Sequence, residues 1–199
     1  MIKPIQKIIA TICSGIIIGF VVFAGQSKTA TTDIECDYPN YNSLNEMINT
    51  SNLIVDGLVV NDNGISIMDT GAGELKYRIF DFKVSKCIKG NVEQGDTIPI
   101  KILDITDNTD NMLENNSEYI CFLKTYDDGI PASLINIDQA SLLVTGNDLI
   151  LSEEEKFIVN NSIGNSIISK VQQTDDIGNI KDQQISKDDL IDKIEYFIN

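Results

Sequence analysis

The sequence predicts a mainly β protein of the β-rich α+β class: a small, partly closed antiparallel barrel with a short helix before it and an amphipathic helix after it. Three observations carry this expectation. Between residues 52 and 152, runs of Val, Ile, Leu, Phe and Tyr alternate with clusters of Gly, Asn and Asp, the signature of strands and turns. Ser-x-x-Glu capping patterns stand on either side of that region, at Ser43 to Glu46 and at Ser152 to Glu155. Beyond Ser186, residues Leu190, Ile191, Ile194, Phe197 and Ile198 repeat at helical spacing.

Taken in order, Ser43 opens a helix over about residues 44–50, with Leu44 and Ile48 on one face. The run at 52–60 is a strand, and Asn61-Asp62-Asn63-Gly64 reads as a hairpin turn into a second strand at 65–68. In the strand at 75–88 one parity, Phe80, Phe82, Val84 and Ile88, is the more apolar and should face the core. Cys87 falls on the other parity. Pro99 assigns the strand at 97–103 an edge position. Tyr119 to Leu123 is continuously apolar, which requires cover on both faces, by a helix on one of them. Strands follow at 131–137 and 141–152, the latter a hairpin turning at Gly146-Asn147-Asp148. The domain therefore spans residues 43–152, and 153–199 form a helical C-terminal region with a loose linker at 172–185.

Residues 1–25 have a separate character. Lys3 and Lys7 precede an apolar run from Ile8 to Gly25, which suits either a cleaved signal peptide or an uncleaved anchor crossing a membrane through residues 8–25. Residues 26–42 read as a polar stalk. In both readings the body of the chain is extracytoplasmic, either single-pass anchored or secreted.

The formal charge of −15 opposes nucleic-acid binding. The absence of histidine excludes Ser-His-Asp and Cys-His nucleophile systems and imidazole-dependent zinc sites. No catalytic residue or cofactor-binding motif is found.

The spacing Val84-x4-Lys89-Gly90, then Gly95-Asp96-x-Ile98-x-Ile100, then Glu118-Tyr119-Ile120-Cys121-Phe122-Leu123 resembles small bacterial extracytoplasmic OB-like domains, similar in outline to the netrin and metalloproteinase-inhibitor module. The resemblance covers roughly residues 50–150 and implies an OB-like barrel. It does not carry over the inhibitory site: Cys36 stands behind the stalk without a matching second cysteine nearby.

Three cysteines follow the apolar segment, an odd number. Cys36 with Cys87, Cys87 with Cys121, or no disulfide all remain open. Asp104, Asp107, Asp110 and Glu114 form the densest oxygen-ligand stretch, a weak candidate calcium loop without EF-hand spacing. Loops at 61–64 and 104–116 are the candidate recognition surfaces. The function expected is a non-enzymatic exported binding module for an extracellular or cell-envelope partner. Its alternatives are an inhibitor or regulator of an extracellular protease and a carboxylate-based hydrolase.

Overall fold

Two long strands organise the chain. β1 (Leu53–Asp69) and β2 (Glu74–Lys89) pair antiparallel, and β2 pairs in turn with β3 (Thr97–Leu103). β3 runs parallel to β5 (Ala132–Leu134) through Ile100 and Lys101, β5 lies antiparallel to β4 (Glu118–Lys124), and β4 returns to β1 across Leu53 to Leu58. The order β1-β2-β3-β5-β4 thus closes on itself as a ring. The computed structural model describes residues 38–69, 74–104, 112–127, 129–163 and 185–199. The expected signal or anchor segment, most of the stalk and most of the linker lie outside them. Among the described residues no helix is long and apolar enough to cross a membrane.

The strand-rich ring with a short helix at each end agrees with the expected class, with two corrections: the β3–β5 pairing is parallel, and β3 is not an edge strand, since β2 lies on one side and β5 on the other. β5 pairs only with Ile100 and Lys101, so Pro99 owes it no N–H. The second edge of β4 is divided. Leu123 and Lys124 hold β5, while Glu118 to Cys121 hold β6 (Ser141–Thr145), which turns at Gly146 and Asn147 into β7 (Asp148–Ile150). The strand expected at 131–137 is cut to three residues because Asn136 folds back on itself. Its side-chain oxygen accepts from the N–H groups of Asp138 at 2.6 Å and Gln139 at 3.1 Å.

The helices sit where their caps place them. In α1 (Leu44–Thr50) the Ser43 side chain accepts from Glu46 N–H, and Leu44, Met47 and Ile48 are buried. At its other end, the Lys89 ammonium donates to the carbonyls of Ile48 and Ser51, a cation placed where the helix dipole is negative. α2 (Glu153–Ile163) opens with the expected reciprocal box: Glu155 N–H donates to Ser152 Oγ, and Ser152 N–H donates to the Glu155 carboxylate. α3 (Lys187–Ile198) is capped by Ser186 and buries Leu190, Ile191 and Ile194. It docks through contacts with α1 and β2. Just before it, Ile185 to Lys187 line the outer edge of β7, so that this short edge is covered. β4 is buried from Tyr119 to Leu123, the double cover its unbroken apolar run requires.

The hairpin expected at Asn61 to Gly64 is not there. β1 runs straight through it to Asp69, and the polar residues form an irregular, bulged stretch of a single strand. The reason lies across the ladder. The Asp62 carboxylate takes the Arg78 guanidinium of β2 at 2.5 and 2.9 Å and also accepts the Gly64 N–H at 2.9 Å, so residues that favour a turn in isolation are held extended by β2. Earlier in β1, Gly57 permits close packing. A Cβ there would lie 2.6 Å from a Phe82 ring carbon and against the Lys83 carbonyl. Gly57→Ala should therefore lower stability by about 2–3 kcal/mol. Gly64→Ala, in open space but at φ +76, should cost about 1 kcal/mol. Urea unfolding of the two variants measures both.

Candidate functional site

The residues singled out as candidate ligands do not converge among the described residues. Asp104 directly follows β3, with its N–H bonded to the Lys76 carbonyl at 2.9 Å, and its carboxylate charge acts on Arg78. Glu114 is exposed, and its N–H donates to the Tyr119 hydroxyl at 3.1 Å. Asp107 and Asp110 lie outside the described residues. Among the described residues no cluster of three or more Cys, Asp or Glu side chains could hold a metal ion.

Cys87 and Cys121 are not joined to each other, and their placement explains why. Val55 of β1 is the register partner of Cys87 on one side and of Cys121 on the other. Two inter-strand spacings, roughly 10 Å, separate the two cysteines, whereas a disulfide spans Cα atoms up to about 7 Å apart. The parity expected for Cys87 is also corrected. Ser85 has no partner in the β1 register, and this bulge returns Cys87 to the buried row of Val55, where it packs half-buried against the core. Burial, followed by the charge of Asp56, pushes the Cys121 thiol well above the ordinary range, so it is inert as a nucleophile at neutral pH. Cys36 lies outside the described residues.

Two groupings escaped sequence reasoning. The first is ionic. Asp56 of β1, in the middle of an apolar run, faces outward from the ring beside Glu118 of β4, and Lys187 at the start of α3 reaches both. The ammonium lies 2.6 Å from Glu118 Oε1 and 3.3 Å from Asp56 Oδ2, while Asp56 Oδ1 is buried without a partner among the described residues. Two carboxylates share one ammonium, and the closer one has the stronger hold. Burial therefore outweighs the attraction of Lys187 and raises the pKa of Asp56. Burial acts to lower that of Lys187, but the hydrogen bond to Glu118 and the two negative charges hold it above the ordinary lysine range. A lone acid inside a hydrophobic strand was the available signal; its partner is 131 residues away.

The second grouping lies on the outer face of β2, β3 and β5. Phe80, Ile100 and Ile102 point into the core, so Tyr77, Ile79 and Lys101 alternate outward. The Lys101 ammonium lies between two rings, 5.1 Å from the centroid of Tyr77 and 4.6 Å from that of Tyr126. Tyr126 is fixed by a 2.7 Å bond between its hydroxyl and that of Ser133 on β5. Tyr126, which is exposed, flanks this face from the β4–β5 connection. The patch thus sets a cation against two aromatic rings, with no ionic partner for Lys101 among the described residues. Comparison with protein-family models, with curated proteins and with solved structures finds no match.

The ionic grouping makes two predictions. Lys187→Met leaves Asp56 buried without its counter-charge and should cost about 3 kcal/mol in chemical unfolding. Because the folded chain raises the pKa of Asp56, it holds that proton more tightly than the unfolded chain. This contribution is full below the ordinary carboxylate range and is lost as pH rises through the raised value. The stability of wild type relative to Asp56→Asn should therefore fall from pH ~3 to ~7. Asp62, held low first by its hydrogen bond from Arg78, has the opposite sign. The advantage of wild type over Asp62→Asn should grow over the same interval, with urea unfolding at each pH as the measurement for both variants.

Proposed function

We propose that the chain is an exported, non-enzymatic binding module built on an OB-like barrel, and that it engages a protein partner outside the cytoplasm through the outer face of β2, β3 and β5. The observation that carries this reading is Lys101 held between Tyr77 and Tyr126. Several features support it. The ring of five strands with short helices at its ends fits an OB-like barrel, and OB barrels use the face of their second and third strands together with the loop between the fourth and fifth. Tyr77, Lys101 and Tyr126 occupy those places. That is an analogy of fold, and the chemistry of the patch stands beside it.

Aromatic side chains supply large contact area at low entropic cost, and Tyr126 is already restrained by Ser133. The formal charge of −15 disfavours a nucleic-acid partner, and the absence of histidine removes the commonest nucleophile systems. Export is supported by the basic start and the apolar run at residues 8–25.

The test is cross-linking and retention of the purified chain with envelope and culture-fluid fractions of the cell that makes it. A protein retained by wild type and lost about tenfold in both Tyr126→Ala and Lys101→Ala, with unchanged unfolding midpoints, is the expected result. Equal retention by the variants, or turnover of ester, glycoside or peptide substrates by the purified chain, would overturn the reading.

A further inference from the structure

Away from the aromatic patch, the structure holds an open cleft of about 360 Å³ lined by Asn40, Tyr41, Asn42, Gln139, Glu154 and Phe157. Its walls come from three parts of the chain: the segment before α1, the turn between β5 and β6, and the first turns of α2. They are tied together by polar groups. Tyr41 N–H donates to Gln139 Oε1 at 2.9 Å, and Asn136 Nδ2 donates to the Pro39 carbonyl at 3.1 Å. On the other side, Leu44 N–H donates to Ser162 Oγ at 2.6 Å, and Asn161 Nδ2 reaches the Asn42 carbonyl at 3.5 Å. The cleft is thus formed in advance, and a ligand need not order it.

The groups that hold the frame differ from those left at the rim. The Gln139 side chain bonds both the N–H and the carbonyl of Tyr41. The side chains of Asn40, Asn42 and Glu154 carry no hydrogen bond to another described residue, and all three residues are exposed. Phe157 is also exposed, by 56 %, on a helix that buries its neighbours Glu155, Ile158 and Val159. Here the burial pattern is inverted. Glu155 is turned inward by its bond to the Ser152 N–H, and the phenyl ring is left over the cleft.

We propose that this cleft binds a pyranose unit of a glycan. A sugar ring has an apolar C–H face that can lie on Phe157, and its edge hydroxyls are both donors and acceptors. Two amides and one carboxylate at the rim match them: Asn40 and Asn42 supply donors and acceptors, and Glu154 accepts from neighbouring hydroxyls. A basic peptide fits less well. A cation calls for several aromatic faces or convergent acids, whereas this cleft has one exposed ring, one acid and amides a cation would not use. The volume is at the lower end of small-ligand sites, which suits a short stretch of glycan. This site does not rest on the aromatic patch: the two share no residue.

The experiment uses the full chain on an array of oligosaccharides containing hexose and N-acetylhexosamine units, followed by calorimetric titration with the tightest of them. Trilysine serves as the cationic probe. The expected result is saturable saccharide binding that Phe157→Ala weakens at least tenfold and Glu154→Gln or Asn42→Ala weakens several-fold, while Lys101→Ala and Tyr126→Ala leave it unchanged. Phe157 is exposed, so its variant should unfold at the wild-type urea concentration; Phe157→Tyr, which keeps a stacking ring, should retain binding. No saccharide binding by folded wild type, binding indifferent to Phe157→Ala, or preference for trilysine would each overturn the proposal.

Discussion

The structure depends on the ladder between β1 and β4. This pairing of Leu53 to Leu58 with Leu123 to Glu118 turns a row of strands into a ring, and it makes β1 an inner strand along its first half. Leu53, Ile54, Val55, Asp56 and Gly57 are consecutively buried in this half. With β2 and β4 on its two edges, β1 has no free backbone edge there; its second half, paired among the described residues with β2 alone, shows exposed Ile65 and Ile67. The same closure sets Cys87 and Cys121 on opposite sides of Val55 and keeps their thiols apart.

Closure also creates an electrostatic demand. Asp56 and Glu118 come from strands far apart in sequence and are brought to one part of the outer surface, where two like charges in a partly dry setting repel. Lys187 answers both, and it does so from the first residue of α3. The buried stripe of that helix, Leu190, Ile191 and Ile194, supplies non-directional attraction, while the ammonium fixes where along the sheet the helix begins. A second pair, Lys86 with Glu195 at 2.7 Å, lies nearer the other end of the helix, but its exposure makes its energetic share small.

Local chemistry was legible wherever neighbours in sequence decide the outcome. Ser43, Ser152 and Ser186 announce their helices because a cap is an interaction within four residues. Phe80, Phe82 and Val84 were legible as core by alternation, and Tyr119 to Leu123 as doubly covered by the lack of it. The errors fall where a partner strand overrides local preference. Asn61 to Gly64 has every feature of a hairpin turn and is held extended by Arg78, Asp81 and the β2 backbone. Cys87 changes face because a bulge at Ser85 breaks the period on which its parity was counted. Neither bulge has a signature within its own strand, since a bulge is a mismatch between two strands. The aromatic patch and the amide-rimmed cleft were illegible for a related reason: Tyr77 and Tyr126, or Asn42 and Phe157, meet only after the ring has closed.

By itself, the sequence determined the β-rich class, the positions and caps of the three described helices, the apolar faces and the net negative charge of the chain, all properties carried by composition or by contacts a few residues long. The tertiary structure alone decided the parallel β3–β5 pairing, the continuity of β1, the separation of Cys87 from Cys121 and the sharing of Lys187 between two acids. Each of these is a pairing between distant segments. Local preferences of about 1 kcal/mol per residue are smaller than the combined burial and hydrogen bonding that such a pairing brings, so the closed ring sets the geometry wherever the two conflict.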